Sequence, residues 1–340
     1  MPLDRFQREI DYLRISVTDR CNLRCTYCMP IGGPGAEPPN KPFEAPVLAP
    51  DEEVLSAEEI ALVARAAVRV GFRKFRLTGG EPTLRSDLIE IVERLAMTPG
   101  VADLALTTNG ILLDRLAMPL KRAGLRRVNI HIDTLSPERL PRLMRWGSLE
   151  QIQRGIDAAE AAALVPIKLN VVVVQGENDE DVVDMARLTL ERDWHVRFIE
   201  LMPLGPGECA RVARERYVSN AIVRERIERA LGPLERLPGH RSDESRNHRL
   251  PGARGVVGFI SPVSEPYCGT CNRMRLTADG KFHLCLLNDD ELDVKAAIRS
   301  GGGEDAVARI LLRAVEEKPT GHHLDEGVST SSRRMHALGG

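Results

Sequence analysis

The sequence predicts an α/β fold built as a partial (β/α)6 TIM-type barrel, with a smaller α+β C-terminal domain covering its open side. Three observations lead there. Six strand-like runs alternate with helical patterns before residue 203, which argues for a parallel sheet with right-handed crossovers. Polar residues gather at the C-terminal ends of those runs, where parallel barrels keep their chemistry. After Pro203 the rhythm changes, and shorter strands and turns replace the alternation. Six strands fall short of a closed eight, so the barrel is expected to stand open on one side. The expected division is 1–203 for the barrel and 204–340 for the second domain.

The first strand is the alternating run Leu13–Thr18. It leads into Asp19-Arg20-Cys21-Asn22-Leu23-Arg24-Cys25-Thr26-Tyr27-Cys28-Met29-Pro30, the loop on which the rest depends. Ile31–Pro50, crowded with Gly and Pro and lacking periodicity, reads as a long surface loop. Ser56-Ala57-Glu58-Glu59 is a capping box that opens a helix to about Val70, and Gly71 stops it. Further strands are expected at Lys74–Thr78, Leu104–Thr108, Arg127–Ile132, Ile167–Val174 and His195–Leu201. Helices are expected between them at Asp87–Met97, Leu112–Ala123, Leu149–Leu164 and Asp179–Glu191. In the second part a helix, Asn220–Leu231, precedes a charged Gly/Pro/Ser-rich stretch, Gly239–Arg254, expected to be mobile. Gly255–Pro262 and Arg273–Leu287 read as strands, the latter a pair turning at Asp279-Gly280. Helical patterns follow at Asp293–Arg299 and Glu304–Glu317, and the chain ends in Gly339-Gly340.

Composition narrows the function. Lys plus Arg (47) nearly balances Asp plus Glu (49), so no global field points to nucleic acid or a membrane surface. No apolar run reaches the length of a membrane span, and Met1–Ile10 is too charged for a signal peptide, so a cytoplasmic protein is expected. Seven cysteines in such a chain point to metal or catalysis rather than disulfides. Six of them form two groups, Cys21/Cys25/Cys28 and Cys268/Cys271/Cys285, while Cys209 stands alone as a passenger.

The first group is C-x3-C-x2-C, three thiols within eight residues of loop. An odd number cannot pair off, but three thiolates can close on one metal centre. Iron–sulfur cubanes normally take four thiolates, so three leave one iron open to a ligand. A structural zinc knot with a distant fourth ligand is the plainer alternative. The glycines of Gly79-Gly80-Glu81-Pro82 let backbone approach a ligand closely, and Glu81 can accept hydrogen bonds from an ammonium group. The second group sits around a hairpin, where His283 could complete a zinc site. Arg273 and Arg275, at alternate positions of one strand, point the same way and suit phosphates or a purine. Lys168, inside an apolar run, would be costly to bury without an anionic partner.

C-x3-C-x2-C with Tyr27 before its last cysteine resembles the signature of the radical S-adenosylmethionine (SAM) enzymes, a resemblance that favours the partial barrel over an open sheet. The whole chain, from Leu13-Arg14-Ile15-Ser16-Val17-Thr18-Asp19-Arg20-Cys21 to the terminal Gly-Gly, is similar to the molybdenum cofactor biosynthesis protein A family, the GTP 3′,8-cyclases. That resemblance implies two 4Fe–4S clusters, one on Cys21, Cys25 and Cys28 for SAM, the other on Cys268, Cys271 and Cys285 for GTP. It implies SAM contacts at Tyr27, Gly79, Gly80, Glu81 and Met202, and at His131, which stands where the family commonly has Ser or Thr. It implies GTP contacts at Arg14, Arg76, Thr107, Lys168 and the segment Arg273, Met274, Arg275, with both arginines counted in the catalytic set beside the first three cysteines. The implied reaction is radical: cleaved SAM yields a 5′-deoxyadenosyl radical, hydrogen leaves C3′ of GTP, and C3′ adds to C8 of guanine. An external electron donor and a downstream cyclic pyranopterin monophosphate synthase are the implied partners, and a homodimer is compatible. Two rival classes stay open, a radical SAM enzyme with an auxiliary cluster acting on a peptide and a zinc-binding interaction module.

Overall fold

A computed structural model describes residues 1–29, 48–205, 208–322, 324 and 332–339. Most of the loop expected at Ile31–Pro50, as well as Pro30 and Gly340, lies outside the described residues. Six strands run through the first two-thirds of the chain: β1 (Tyr12–Ser16), β2 (Lys74–Thr78), β3 (Asp103–Thr108), β4 (Arg127–His131), β5 (Lys168–Val173) and β6 (His195–Glu200). They alternate with α1 (Ala57–Val70), α2 (Leu88–Ala96), α3 (Leu113–Arg122), the short α4 (Leu140–Leu143), α5 (Leu149–Ala161) and α6 (Val182–Glu191). The capping box opens α1 as expected: Glu59 N donates to Ser56 Oγ at 3.2 Å and Ser56 N to Glu59 Oε2 at 2.8 Å.

Each strand sorts its residues by parity. In β2, Phe75 and Leu77 are fully buried in the apolar layer, while Arg76 and Thr78 face the central cavity. The same division puts Leu13 and Ile15 of β1 into that layer and Arg14 into the cavity. The core is therefore a shell between sheet and helices, and the lumen inside the sheet is free to be polar.

The rest of the chain supplies α7 (Glu208–Glu215), α8 (Asn220–Leu231), β7 (Glu235–Arg236), β8 (Arg246–Arg249), β9 (Val256–Ile260), β10 (Arg273–Leu276), β11 (Lys281–His283) and β12 (Glu291–Asp293). Three helices close it, α9 (Lys295–Arg299), α10 (Gly303–Glu316) and α11 (Met335–Leu338). These strands lengthen the barrel sheet at both edges, in the order β12-β11-β10-β1-β2-β3-β4-β5-β6-β9-β8-β7. β10 pairs parallel with β1, and β9 parallel with β6, so the six expected parallel strands become eight. The expected hairpin is β10–β11, with Gly280 at φ +78° in its turn.

The stretch Gly239–Arg254, expected to be mobile, departs from that reading. It contains β8, antiparallel to β9 over Arg246–His248, and it sends Glu244 into the central cavity. Its polar composition marks what it touches, an arginine-lined lumen, rather than freedom from structure.

Candidate active site

The cysteine loop leaves β1 at the C-terminal mouth of the barrel, held by main chain on both sides. Gly80 N donates to Thr18 O at 2.7 Å, and Glu81 N to Arg20 O at 2.7 Å. A Cβ on Gly80 would lie 2.3 Å from Arg20 O. The close approach that the two glycines allow is thus made by the cysteine loop itself, whereas the sequence suggested a ligand. On the other side Thr26 N donates to Leu143 O at 2.9 Å. Cys21, Cys25 and Cys28 line one cavity, and none of the cysteines among the described residues is in a disulfide. Burial pushes the Cys21 thiol up to about 11. Burial also raises Cys25 and Cys28, and charge on neighbouring cysteines raises both further. Cys209, expected to be a passenger, is buried on α7 with its sulfur 3.9 Å from Thr26 O, packed on this loop.

Glu81 is fully used as a strut. Its Oε1 accepts from Thr83 N at 3.0 Å and Thr108 Oγ1 at 2.7 Å, and its Oε2 from Asn109 N at 2.7 Å. That ties the ends of β2 and β3 together beneath the cysteine loop. Tyr27 donates to Asp133 Oδ2 at 2.6 Å and lies 3.0 Å from His131 Nε2, which is 3.9 Å from Cys25 Sγ. Burial would lower His131, but the Asp133 carboxylate more than offsets it and holds the imidazole above its ordinary value. Met202, Gly79 and Gly80 line the same cavity.

The second cysteine group faces this cavity from the C-terminal part: Cys268, Cys271 and Cys285 all line it. Burial alone would raise the Cys271 thiol, but Lys318 and Arg273 overcome it and bring it down to about 6, the thiolate form that binds metal. The N-terminal segment holds this loop through Arg8, whose Nη1 donates to Cys268 O at 2.8 Å and to Thr320 O at 2.9 Å. His283, the zinc ligand considered from sequence, instead turns its Nδ1 to Glu291 Oε1 at 3.0 Å.

Between the two groups stands a cationic floor. Strand register puts Arg275, Arg14 and Arg76 side by side on β10, β1 and β2. Arg273 lies one inward position earlier, opposite Tyr12, and its guanidinium sits 4.9 Å over the Tyr267 ring. Arg197 of β6, which the sequence reading missed, is buried and donates through Nη2 to Asn170 Oδ1 at 2.6 Å. Glu244, also missed, joins the set: its Oε2 pairs with Arg14 and lies 3.0 Å from Arg273 Nη1. Its Oε1 is 3.5 Å from Arg76 Nη1 and 3.7 Å from Arg197 Nη1.

Two expected contacts fall elsewhere. Lys168 opens β5 rather than sitting inside it, and is not among the cavity-lining residues; burial and the nearby Arg197, Arg127 and Arg76 bring its amine down to about 7. Met274 has the opposite parity to its neighbours and is fully buried in the apolar core, so its side chain faces away from the cavity. Thr107 lines the cavity, accepting from Asn129 Nδ2 at 3.3 Å. The chain end enters too: Arg275 Nη1 donates to Leu338 O at 3.2 Å and to Gly339 O, and a Cβ on Gly339 would lie 2.3 Å from Thr78 Cγ2.

Each group brings three cysteines, none in a disulfide, to the lining of one cavity, a donor set whose chemistry fits an iron–sulfur cluster with one iron left open. Comparison with known proteins agrees. The radical SAM superfamily profile matches residues 15–189, and the Molybdenum Cofactor Synthesis C profile matches 194–324. In the solved structures, Streptococcus suis SuiB superposes with a TM-score of 0.60 at 14% identity, covering 92% of this chain and 67% of that one. The fold and the three-cysteine loop define a radical SAM protein. The GTP 3′,8-cyclase of Moorella thermoacetica is 46% identical over 338 residues, 99% of both chains. That of Heliobacterium modesticaldum is 47% identical over 340 residues, 99% of this chain and 100% of its own. The chain belongs to the GTP 3′,8-cyclase family.

Proposed function

We propose that this protein converts GTP to (8S)-3′,8-cyclo-7,8-dihydro-GTP, the first step of molybdenum cofactor biosynthesis, using SAM and two 4Fe–4S clusters. One observation carries the reading: two groups of three cysteines and a set of arginines line one cavity. When bound, SAM and the first cluster supply a 5′-deoxyadenosyl radical, which removes hydrogen from C3′ of GTP so that C3′ can bond to C8.

The chain's own residues bind and orient. Cys21, Cys25 and Cys28 would hold the first cluster, with Tyr27, Gly79, Gly80, Glu81, His131 and Met202 lining the space for SAM. Cys268, Cys271 and Cys285 would hold the second cluster, on the GTP side. Arg14, Arg76, Arg197 and Arg273 clamp the phosphates by charge-assisted hydrogen bonds, with Lys168 and Thr107 nearby. Arg275 fixes the C-terminal tail, so its effect on GTP runs through Gly339. The eight parallel strands wall the cavity, and filling it with substrate and SAM would keep water from the reacting ribose. Residues 1–203 form the SAM-binding barrel and 204–340 the substrate-side domain, a division supported by the change of family profile between 189 and 194. The protein works in the cytoplasm, takes electrons from an external one-electron donor, and passes its product to a cyclic pyranopterin monophosphate synthase; no helix among the described residues is long and apolar enough to cross a membrane.

The test is one anaerobic assay on the reconstituted protein with SAM and GTP. We expect 5′-deoxyadenosine and cyclic product in step, iron and sulfide for two clusters, and no zinc. Zinc in the second cysteine group, or 5′-deoxyadenosine formed with a peptide and not with GTP, would overturn the reading.

A further inference from the structure

Glu244 is an acid among arginines at the centre of the site, and it arrives there from the surface. It ends the turn that joins β7 to β8, where Gly239, His240, Arg241 and Asp243 are exposed. The turn holds itself: His240 N donates to Asp243 Oδ2 at 2.9 Å and Asp243 N to His240 O at 3.0 Å. Arg246 Nη1 adds a bond to Asp243 O at 2.9 Å. Two groups of this turn meet the arginines: Ser242 O accepts from Arg273 Nη1 at 3.5 Å, and Glu244, its side chain 12% exposed, reaches Arg14, Arg273, Arg76 and Arg197.

One carboxylate is a poor match for four guanidiniums. Its contacts to Arg76 and Arg197, at 3.5 and 3.7 Å, are ion pairs beyond good hydrogen-bond length. Arg14 Nε, Arg76 Nε and Arg273 Nη2 are buried and have no hydrogen-bond partner. The pocket therefore holds more donors than Glu244 can satisfy, and buried unsatisfied donors are costly. A polyphosphate has the oxygens to fill them. It cannot share the pocket with Glu244, because two anions buried side by side repel.

We propose that Glu244 is a displaceable internal anion: it neutralises the arginine pocket of the ligand-free protein and is expelled, with the 240–244 turn, when the triphosphate enters. The inference rests on the reading of that pocket as the phosphate site. The exit spares the sheet, because β8 begins only at Arg246; it gives up the 3.5 Å bond from Arg273 Nη1 to Ser242 O and pivots at the buried Ser245, whose Oγ bonds Asn247 Oδ1 at 2.8 Å. The consequence is an affinity threshold. Every entering anion meets the same displacement cost, so only one with enough oxygens for several guanidiniums binds at low concentration.

Glu244→Gln keeps the shape and removes the charge. In the fully reconstituted protein, the ligand-free melting temperature should fall, because the arginines lose their counterion. Calorimetric affinity for inorganic triphosphate should rise about tenfold, since a competing anion is gone. Affinity for pyrophosphate and phosphate should rise by a similar factor, because each must expel the same carboxylate. Opposite signs for stability and affinity are what a merely structural residue would not give. If wild type binds triphosphate and Glu244→Gln binds it equally or more weakly, Glu244 is a fixed organiser of the arginines and the displacement idea is wrong. If neither protein binds triphosphate or GTP, the reading of the pocket itself fails and takes this inference with it. Should Glu244→Gln not fold, Glu244→Asp carries the test: its shorter reach weakens the internal ion pairs, so triphosphate affinity should rise a few-fold, and unchanged affinity overturns the proposal.

Discussion

Lys168, behind the cavity lining, offers a test of how far the proposed phosphate site reaches. Its amine, half-buried near Arg197, Arg127 and Arg76, sits at about 7 in the ligand-free protein. A triphosphate nearby favours the charged form and raises that value. The sign follows: below pH 7 the amine is charged with or without ligand, and affinity is flat. As pH rises above 7 the free protein loses its proton while the complex keeps it, so GTP affinity falls and binding takes up a proton. Calorimetry at pH 8 in two buffers of different ionisation heat should show that uptake, and Lys168→Met should abolish it. Arg197 gives a second expectation. Each charge-assisted contact contributes about 1.5–3 kcal/mol, so Arg197→Ala should weaken GTP binding roughly ten- to a hundredfold while SAM still binds. Unchanged GTP affinity would remove Arg197 from the phosphate clamp. Arg275 should behave differently from Arg273, although the sequence grouped them, because Arg275 is committed to the carbonyls of Leu338 and Gly339.

These residues also mark what the sequence could tell. Cys21, Cys25, Cys28 and Cys268, Cys271 were legible because a metal cluster demands thiols at short spacing, and spacing is printed in the chain. Arg14, Arg76 and Arg275 were legible one by one, but not as a row, since the row exists only through register between β10, β1 and β2. Arg197 and Glu244 carried no local motif at all. An arginine inside the strand-like run His195–Leu201 was the available signal for the first, by the same logic applied to Lys168. Glu244 lay in a stretch whose polar composition imitates a mobile loop.

At the scale of elements, long alternating segments were readable and short ones were not. The six barrel strands and the helices between them follow from periodicity, with Asn220–Leu231 matched residue for residue. β7, β8 and β12 span two to four residues, too few for any period to register. The Gly79-Gly80 turn was located from its glycines, but its reason differs from the one inferred: it seats the cysteine loop. That yields a prediction for the element. Gly80→Ala would put a Cβ 2.3 Å from Arg20 O, a main-chain atom that cannot swing aside, and should push the loop off β2. We expect the variant to reconstitute the second cluster but lose the first, halving bound iron and ending SAM cleavage. Full iron content with normal 5′-deoxyadenosine formation would show that the loop tolerates the shift.

At the scale of the whole molecule, both halves of the chain and its terminus meet at one cavity. β9 and β10 extend the barrel on opposite edges, and α11 returns the last residues to Thr78 at the end of β2 and Arg275 of β10. Gly339 reaches the cavity wall, against Thr78 and bonded through its carbonyl to Arg275. Gly340 itself is outside the described residues. A tail made this way has no side chain to fill the lumen, and Gly339→Ala would force a Cβ within 2.3 Å of Thr78 Cγ2. Deleting Gly339 and Gly340 should therefore leave SAM and GTP affinity close to wild type, because the cysteine loops and the Arg14–Arg76–Arg197 set remain. Turnover to cyclic product should fall while 5′-deoxyadenosine continues at a slower, uncoupled rate, since the tail borders the reacting region without holding either ligand. Gly339→Ala should reproduce much of that uncoupling with the chain at full length, which separates loss of the tail from loss of two residues. Measuring the ratio of cyclic product to 5′-deoxyadenosine for both variants decides the matter: a ratio equal to wild type in both would make the tail a simple terminus, held in place by Arg275 and doing nothing for the reaction.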